Sequence, residues 1–239
     1  VGYTQRTYRQ ITNPLGLHAY QVQVGESDLA ILSTYPEQAE AKRLLLKARR
    51  ILKAYMARCS EFEGALSPLS PDPAAPSLVQ QMLRAGQAAN VGPMAAVAGA
   101  IAEFVGEALA SPEVIIENGG DLYLRTQRSR NIALFAGKNS PFSYKLALAI
   151  DPEETPLGIS TSSGTVGHSL SFGRADAVTV VSSNCALSDA AATAVANLVQ
   201  GPKSIENAIE AAQNIPEVTG VVIACGEKLG VWGKIKLVR

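Results

Sequence analysis

Residues 158–197 read GISTSSGTVGHSLSFGRADAVTVVSSNCALSDAAATAVAN. The first half is rich in glycine and hydroxyls, and the second is a helix almost stripped of charge. Seven hydroxyl side chains lie in residues 160–171, with Gly164 and Gly167 placed to let the backbone turn tightly. This composition predicts a loop in which Ser160, Thr161, Ser162, Ser163, Gly164, Thr165 and Gly167 offer amides and hydroxyls to an anion. A tight connection between strands is the plainer reading of the same residues.

In the second half, Asp176 and Asp189 are the two formal charges of residues 175–202, and six of the eleven residues 186–196 are alanine. At helical spacing Leu187, Ala191, Ala194 and Leu198 share one face, while Asp189, Thr193 and Asn197 share the opposite one. A solvent face normally carries Lys, Glu or Arg; here Asp189 and Thr193 stand among alanines, so the second face is expected to be covered too. A carboxylate withdrawn from water costs on the order of several kcal/mol unless a cation or several donors compensate it. Asp189 therefore needs a partner, and a divalent metal or a helix N-terminus would serve.

Outward from this stretch, the chain has 239 residues, 47% hydrophobic and 18% charged, with Lys plus Arg equal to Asp plus Glu at 21 each. That suits one domain over residues 1–239, with the four-proline segment SPLSPDPAAP at 67–76 as the candidate internal boundary. No global field or basic run interleaved with aromatics argues for nucleic acid. The charge-free residues 85–102 hold Gly, Pro, Asn and Gln, too polar for a membrane span. Cys59, Cys185 and Cys225 are odd in number and lack CxxC spacing, which argues against a disulfide framework or zinc site and for the cytoplasm as the expected compartment. The first twenty residues contain no apolar run of signal-peptide length.

Along the chain, residues 3–12 and 17–24 alternate as a hairpin around Asn13, Pro14 and Gly16, and residues 28–33 add a third strand. An amphipathic helix follows from Pro36 to about Phe62, then a short one at 78–88. Residues 93–109 predict a second buried helix whose Ala95, Ala98, Gly99 and Ala102 admit a close backbone neighbour. EVIIENGGDLYLRT is a hairpin turning at Gly119 and Gly120, with Asn118 and Asp121 flanking the turn. Strands are expected at 132–136, 144–150, 176–182, 219–225 and 231–238, with a helix at 204–214. Successive hairpins and paired helices indicate an α+β class with mainly antiparallel sheets packed against buried Ala/Gly-rich helices.

ENGGDLYL, ISTSSG and SDAAATA, in this order, resemble the ApbE superfamily, whose flavin transferases carry an N-x-GGD hairpin, an A-T-S-G loop and an A-D-A-L-A-T-A helix. The segments TSSGTVGHSLSFGRADA and GPMAAVAGA are most similar to an uncharacterised ApbE-like group rather than to the transferases proper. The resemblance implies a T-fold-like architecture, a magnesium ion held by Asp189 and Thr193 with help from residues 159–162, and a flavin nucleotide as a candidate ligand. Asn118, Gly119 and Gly120 match the hairpin motif and are candidate cofactor-binding residues, and Asp121 is a second candidate metal ligand. Where the transferases have a His-x-x-Asp-Pro-x-Thr-Gly segment, this chain has GHSLSFGRAD, which carries no transfer chemistry over. His168 occupies that neighbourhood and is the candidate base, a structural histidine being the alternative.

Three functions are compatible with these residues. One is magnesium-assisted binding and transfer chemistry on a phosphorylated, flavin- or nucleotide-like ligand. Another is a non-catalytic module for a small anionic metabolite. The third is a sulfur- or thiol-handling role for Cys185, its thiolate favoured by a helix N-terminus; a small buried thiol is the competing reading. A homodimer is compatible with all three.

Overall fold

The computed structural model describes residues 16–164 and 173–239. The strand expected over 3–12, and the site candidates Thr165, Gly167 and His168, lie outside the described residues.

His18–Val24 (β1) pairs antiparallel with Ser27–Ser33 (β2) through a turn at Gly25, whose φ of 57° is the left-handed conformation that glycine adopts without strain. The following helix Gln38–Arg58 (α1) buries Leu44, Leu45, Ala48 and Leu52, and stops before the expected Phe62. The chain breaks at Cys59 and restarts as the four-residue Glu61–Gly64 (α2). The break brings the Phe62 ring edge-on to Tyr55, centroids 5.0 Å apart, where two turns of continuous helix would have held them apart. The proline-rich segment is a mostly exposed loop, tied down where the Tyr55 hydroxyl donates to Asp72 (3.0 Å) and where Ala75 enters the core.

Helix Ser77–Ala89 (α3) ends on Asn90 in the left-handed conformation (φ 56°), a frequent helix stop. The apolar run after it opens with a 3-10 turn at Pro93–Ala96 and continues as Val97–Ala108 (α4). The hairpin is Val114–Asn118 (β3) and Asp121–Arg125 (β4), with Gly119 at φ 76° and Gly120 at φ 108° forming the turn. Then come Arg130–Ala133 (β5), Ala147–Ile150 (β6), Leu157–Ser162 (β7), Ala177–Ser182 (β8), Cys185–Leu198 (α5), Ile205–Gln213 (α6), Val218–Cys225 (β9), Lys228–Gly233 (β10) and Leu237–Val238 (β11). The strand expected over 231–238 is two: β10 ends at Gly233 (φ 89°), and the chain crosses to a second sheet as β11.

Among the described residues, eight strands form one sheet in the order β1-β2-β3-β4-β7-β8-β9-β10, and β11-β6-β5 form a smaller one; the pairings are antiparallel. Alternation along the strands separates two cores. Ile116, Tyr123, Val178 and Val180 face the helices, whereas Leu124, Ile159, Val181 and Val222 face Leu148 and Ile150 of the small sheet. The α+β reading therefore holds, with helices on one face of the large sheet and a second sheet on the other. Among the described residues no single helix is long and apolar enough to cross a membrane.

One expectation is overturned here. Residues 158–162 are not loop but a central strand, paired with β4 on one side and β8 on the other. Small residues suit this place because α5 lies almost on the backbone. A Cβ on Gly158 would come 2.5 Å from Cys185 Cα, and one on Gly173 would run into the Ala196 carbonyl. Gly99 of α4 likewise meets the Cys185 carbonyl of α5. Gly99→Ala is expected to force α4 and α5 apart and lower stability by about 1–3 kcal/mol. Chemical denaturation checks this, and an unmoved midpoint would show that the pair separates without strain.

Helix α5 is buried nearly all round, from Cys185, Leu187 and Ser188 to Ala190, Ala191, Ala192, Val195 and Ala196. Leu198, expected on the core face, is 48% exposed at the end of the helix, whereas Val195, Ala196 and Val199 around it are buried.

Candidate functional site

The hairpin closes on the pair Asn118 and Asp121, both buried, and strand alternation turns both toward the helices with Ile116 and Tyr123. Asn118 donates its side-chain amide to the Ala98 carbonyl at the start of α4 (2.9 Å), pinning that helix to the hairpin. Across the next strand pair Asp121 stands opposite Ser160. Ser160 is fully buried and shares a hydrogen bond with Ser188 of α5 (2.8 Å). Thr161 points to the other face, hydrogen-bonded to Thr179 (2.9 Å). The strand thus places Ser160 beside the acids and takes Thr161 away from them.

Asp189 has the partner its sequence context demands. Its carboxylate accepts the Gly99 amide (2.9 Å), is further bonded by the Ala98 amide, and meets Asp121 in a side-chain hydrogen bond. Burial pushes the Asp189 carboxyl up to about 7, outweighing the amides and Asp121, which pull it down. The acid is thus compensated by a helix N-terminus and by a second acid. Thr193 sits one helical turn further along α5, half-buried.

Glu103 of α4 belongs to the same cluster, and the sequence reading assigned it no role. Only 6% exposed, it accepts the amides of Cys185 (3.0 Å) and Ala186 (3.4 Å), the first residues of α5. Burial pushes its carboxyl up to about 7 against the pull of those amides. The available signal was the first charge after the charge-free residues 85–102, set among small residues as Asp189 is. For Cys185 this arrangement favours the small buried thiol over the thiolate. Its thiol is buried and donates to the Leu122 carbonyl, and the helix end that would favour a thiolate is already occupied by Glu103. Burial and the neighbouring Glu103, Asp121 and Asp189 hold that thiol well above its ordinary range, so it is a protonated core thiol.

The remaining candidates divide. The Gly120 amide donates to Glu117 (2.8 Å) and its carbonyl accepts from Thr161 (3.1 Å). Ser162 is buried at the end of β7 and Ser163 half-buried just after it. Gly164 donates to the Ala175 carbonyl (3.0 Å), and a Cβ there would run into the Gly173 carbonyl. Gly164→Val is therefore expected to lower the melting temperature by several degrees, since overpacking of this kind costs about 1–3 kcal/mol. A thermal melt of that variant that matches wild type would show that the backbones of 164 and 173 separate freely. Among the described residues no three His, Cys, Asp or Glu side chains gather as a metal site; Asp121 and Asp189 are the two acids hydrogen-bonded to each other.

A family model described as AbpE bacteria matches residues 10–229. A UPF0280 protein of Methanocaldococcus jannaschii is 41% identical over 201 residues, covering 82% of this chain and 82% of that protein. Another, from Methanocella arvoryzae, is 38% identical over 221 residues, covering 91% and 89%. Among solved structures, the apo flavinyl transferase ApbE of Pseudomonas stutzeri aligns with a TM-score of 0.54 at 15% identity, over 91% of this chain and 94% of that one. The ApbE protein of Thermotoga maritima aligns with a TM-score of 0.53 at 10% identity, over 91% and 96%. At such identities the likeness is one of fold.

Proposed function

Because the chain belongs to the family described as AbpE bacteria and has an ApbE-like fold, we propose that it binds a phosphorylated small molecule with the help of a divalent cation at Asp121 and Asp189. The observation that carries this is the hydrogen bond between two carboxyl groups, Asp121 buried and Asp189 half-buried, where α4 and α5 meet the hairpin. Two carboxyl groups so placed share a proton unless a cation lies between them, since both ionise only with a compensating positive charge. Their oxygens are hard donors from two separate elements, a set that fits magnesium, with the Thr193 hydroxyl one turn along α5. Bound magnesium supplies charge neutralisation to phosphate oxygens.

The chain's own residues orient the pair. Gly99 and Ala98 fix one side of the Asp189 carboxylate, and Asn118 ties α4 to the hairpin that carries Asp121. Asn118 and Gly120 use these donors within the protein, which supports a ligand recognised through its phosphates more than through a ring. A flavin nucleotide is then one candidate among several. GHSLSFGRAD in place of the transferase segment favours cation-assisted binding over flavin transfer.

Calorimetric titration of FAD, FMN, ADP and pyrophosphate, with and without magnesium, tests the reading. Binding of at least one is expected to need magnesium, to be lost in Asp121→Asn, and to respond less to ionic strength than to the cation, because short-range contacts are poorly screened. Mass spectrometry of small molecules released from denatured protein would identify a co-purified ligand. If none of the four binds at millimolar magnesium, the reading fails.

A further inference from the structure

Helices α4 and α5 cap each other. The α4 amide of Gly99 is held by Asp189 of α5, and the α5 amides of Cys185 and Ala186 are held by Glu103 of α4. In each helix the acid stands four residues after the amide donor, Glu103 after Gly99 and Asp189 after Cys185, so the same two turns face each other in opposite directions. Each acid lies against the positive end of the other helix, where a negative charge is favoured. The absence of a side chain at Gly99 permits the approach, since a Cβ there would enter the Cys185 carbonyl; Gly158 does the same on the strand side. Asn184 caps α5 from its own chain through the Leu187 amide (2.8 Å), leaving the two earlier amides to Glu103.

We infer that Glu103 is a positioning residue for the Asp121–Asp189 pair: by gripping the first amides of α5 it sets the depth and rotation of the helix that presents Asp189 to Asp121. This rests on the cation reading above only for its functional consequence. The clasp itself stands on the reciprocal hydrogen bonds. Loss of the grip lets the first turn of α5 slide, and the Gly99–Asp189 bond on the far side of the clasp weakens with it.

The test compares Glu103→Met, which removes the acceptor at similar volume, with Glu103→Gln, which keeps an oxygen for the amides. Two quantities are read: the exchange rate of the Gly99 amide by hydrogen-exchange NMR, and the magnesium concentration at half of the maximal melting shift. In Glu103→Met the Gly99 amide is expected to exchange about tenfold faster and the magnesium midpoint to rise about tenfold, with Glu103→Gln restoring both to near wild type. A folded Glu103→Met with wild-type Gly99 exchange and magnesium midpoint overturns the inference, even if its melting temperature is lower. Should Glu103→Met not fold, Glu103→Asp, one methylene shorter, carries the same comparison. A wild type without any magnesium shift removes the cation reading alone, and the Gly99 exchange rate then decides the clasp.

Discussion

Arg130→Met is expected to lower the unfolding free energy by about 3–5 kcal/mol, because it leaves a carboxylate buried without its cation. Glu113 and Arg130 are 5% and 6% exposed. Arg130 donates to Glu113, and Thr126 bridges them, donating to Glu113 (3.3 Å) and accepting from Arg130 (3.4 Å). Glu113 directly precedes β3 of the large sheet and Arg130 opens β5 of the small one, so the pair fastens one sheet to the other. Arg128, 77% exposed and 3.9 Å from Glu113, is too solvated to replace it. The double variant Glu113→Leu with Arg130→Met is expected to recover most of the loss, since a buried pair exchanged for apolar groups of similar volume is often neutral. Urea unfolding of the two variants beside wild type checks this, and a loss in Arg130→Met below about 1 kcal/mol would mean that water reaches Glu113.

Without divalent cation, wild-type stability is expected to fall as pH rises from about 4 to about 7, and Asp189→Asn is expected to remove a large part of that fall. Asp189 and Glu103 both have carboxyls pushed up to about 7 from ordinary values of 3.8 and 4.5. The folded state therefore holds these protons more tightly than the unfolded chain does. The resulting stability is complete below the unfolded values and is lost as pH climbs through the folded ones. At pH 8 Asp189→Asn is expected to melt above cation-free wild type by roughly 5 °C, for a gain on the order of 2 kcal/mol in a chain of this size. Its amide still offers an oxygen to Gly99 and gives Asp121 a donor. At pH 4 the two should melt together. Magnesium in large excess should raise wild type at pH 8 by a similar amount, about 2.7 kcal/mol at a hundred times the dissociation constant, and leave Asp189→Asn unmoved. A wild-type melting temperature flat from pH 4 to pH 8, or a magnesium shift retained in Asp189→Asn, contradicts the assignment. The part of the slope that persists in Asp189→Asn belongs to Glu103 and should disappear in Glu103→Gln.

Local chemistry made several elements legible. The Asn-Gly-Gly-Asp turn was readable because two successive positive φ values suit glycine, and it sets the register that pairs Asn118 with Asp121. The burial of α4 and α5 was readable from their lack of charge, and the need of Asp189 for a partner followed from that. Strand β7 was misread because glycine and serine signal a loop when only their own propensities are weighed. They form a strand here because β4 and β8 flank them and α5 needs space where Gly158 has no side chain.

By itself the sequence determined the antiparallel α+β class, the hairpin turn, the two charge-poor helices and the resemblance that family membership bears out, since each rests on short-range periodicity or on contiguous motifs. Tertiary structure alone decided which groups meet. Glu103 lies 82 residues from the Cys185 amide it holds, and Gly99 lies 90 from Asp189. Neither the clasp nor the Glu113–Arg130 bolt between the sheets leaves a periodic trace, because a hydrogen bond across the core depends on how two helices or two sheets are set against each other. Asp189 shows the division most clearly. Its neighbours in sequence say that it must be compensated, and only the packing of α5 on α4 and β4 selects a helix N-terminus and a second carboxyl as the compensation.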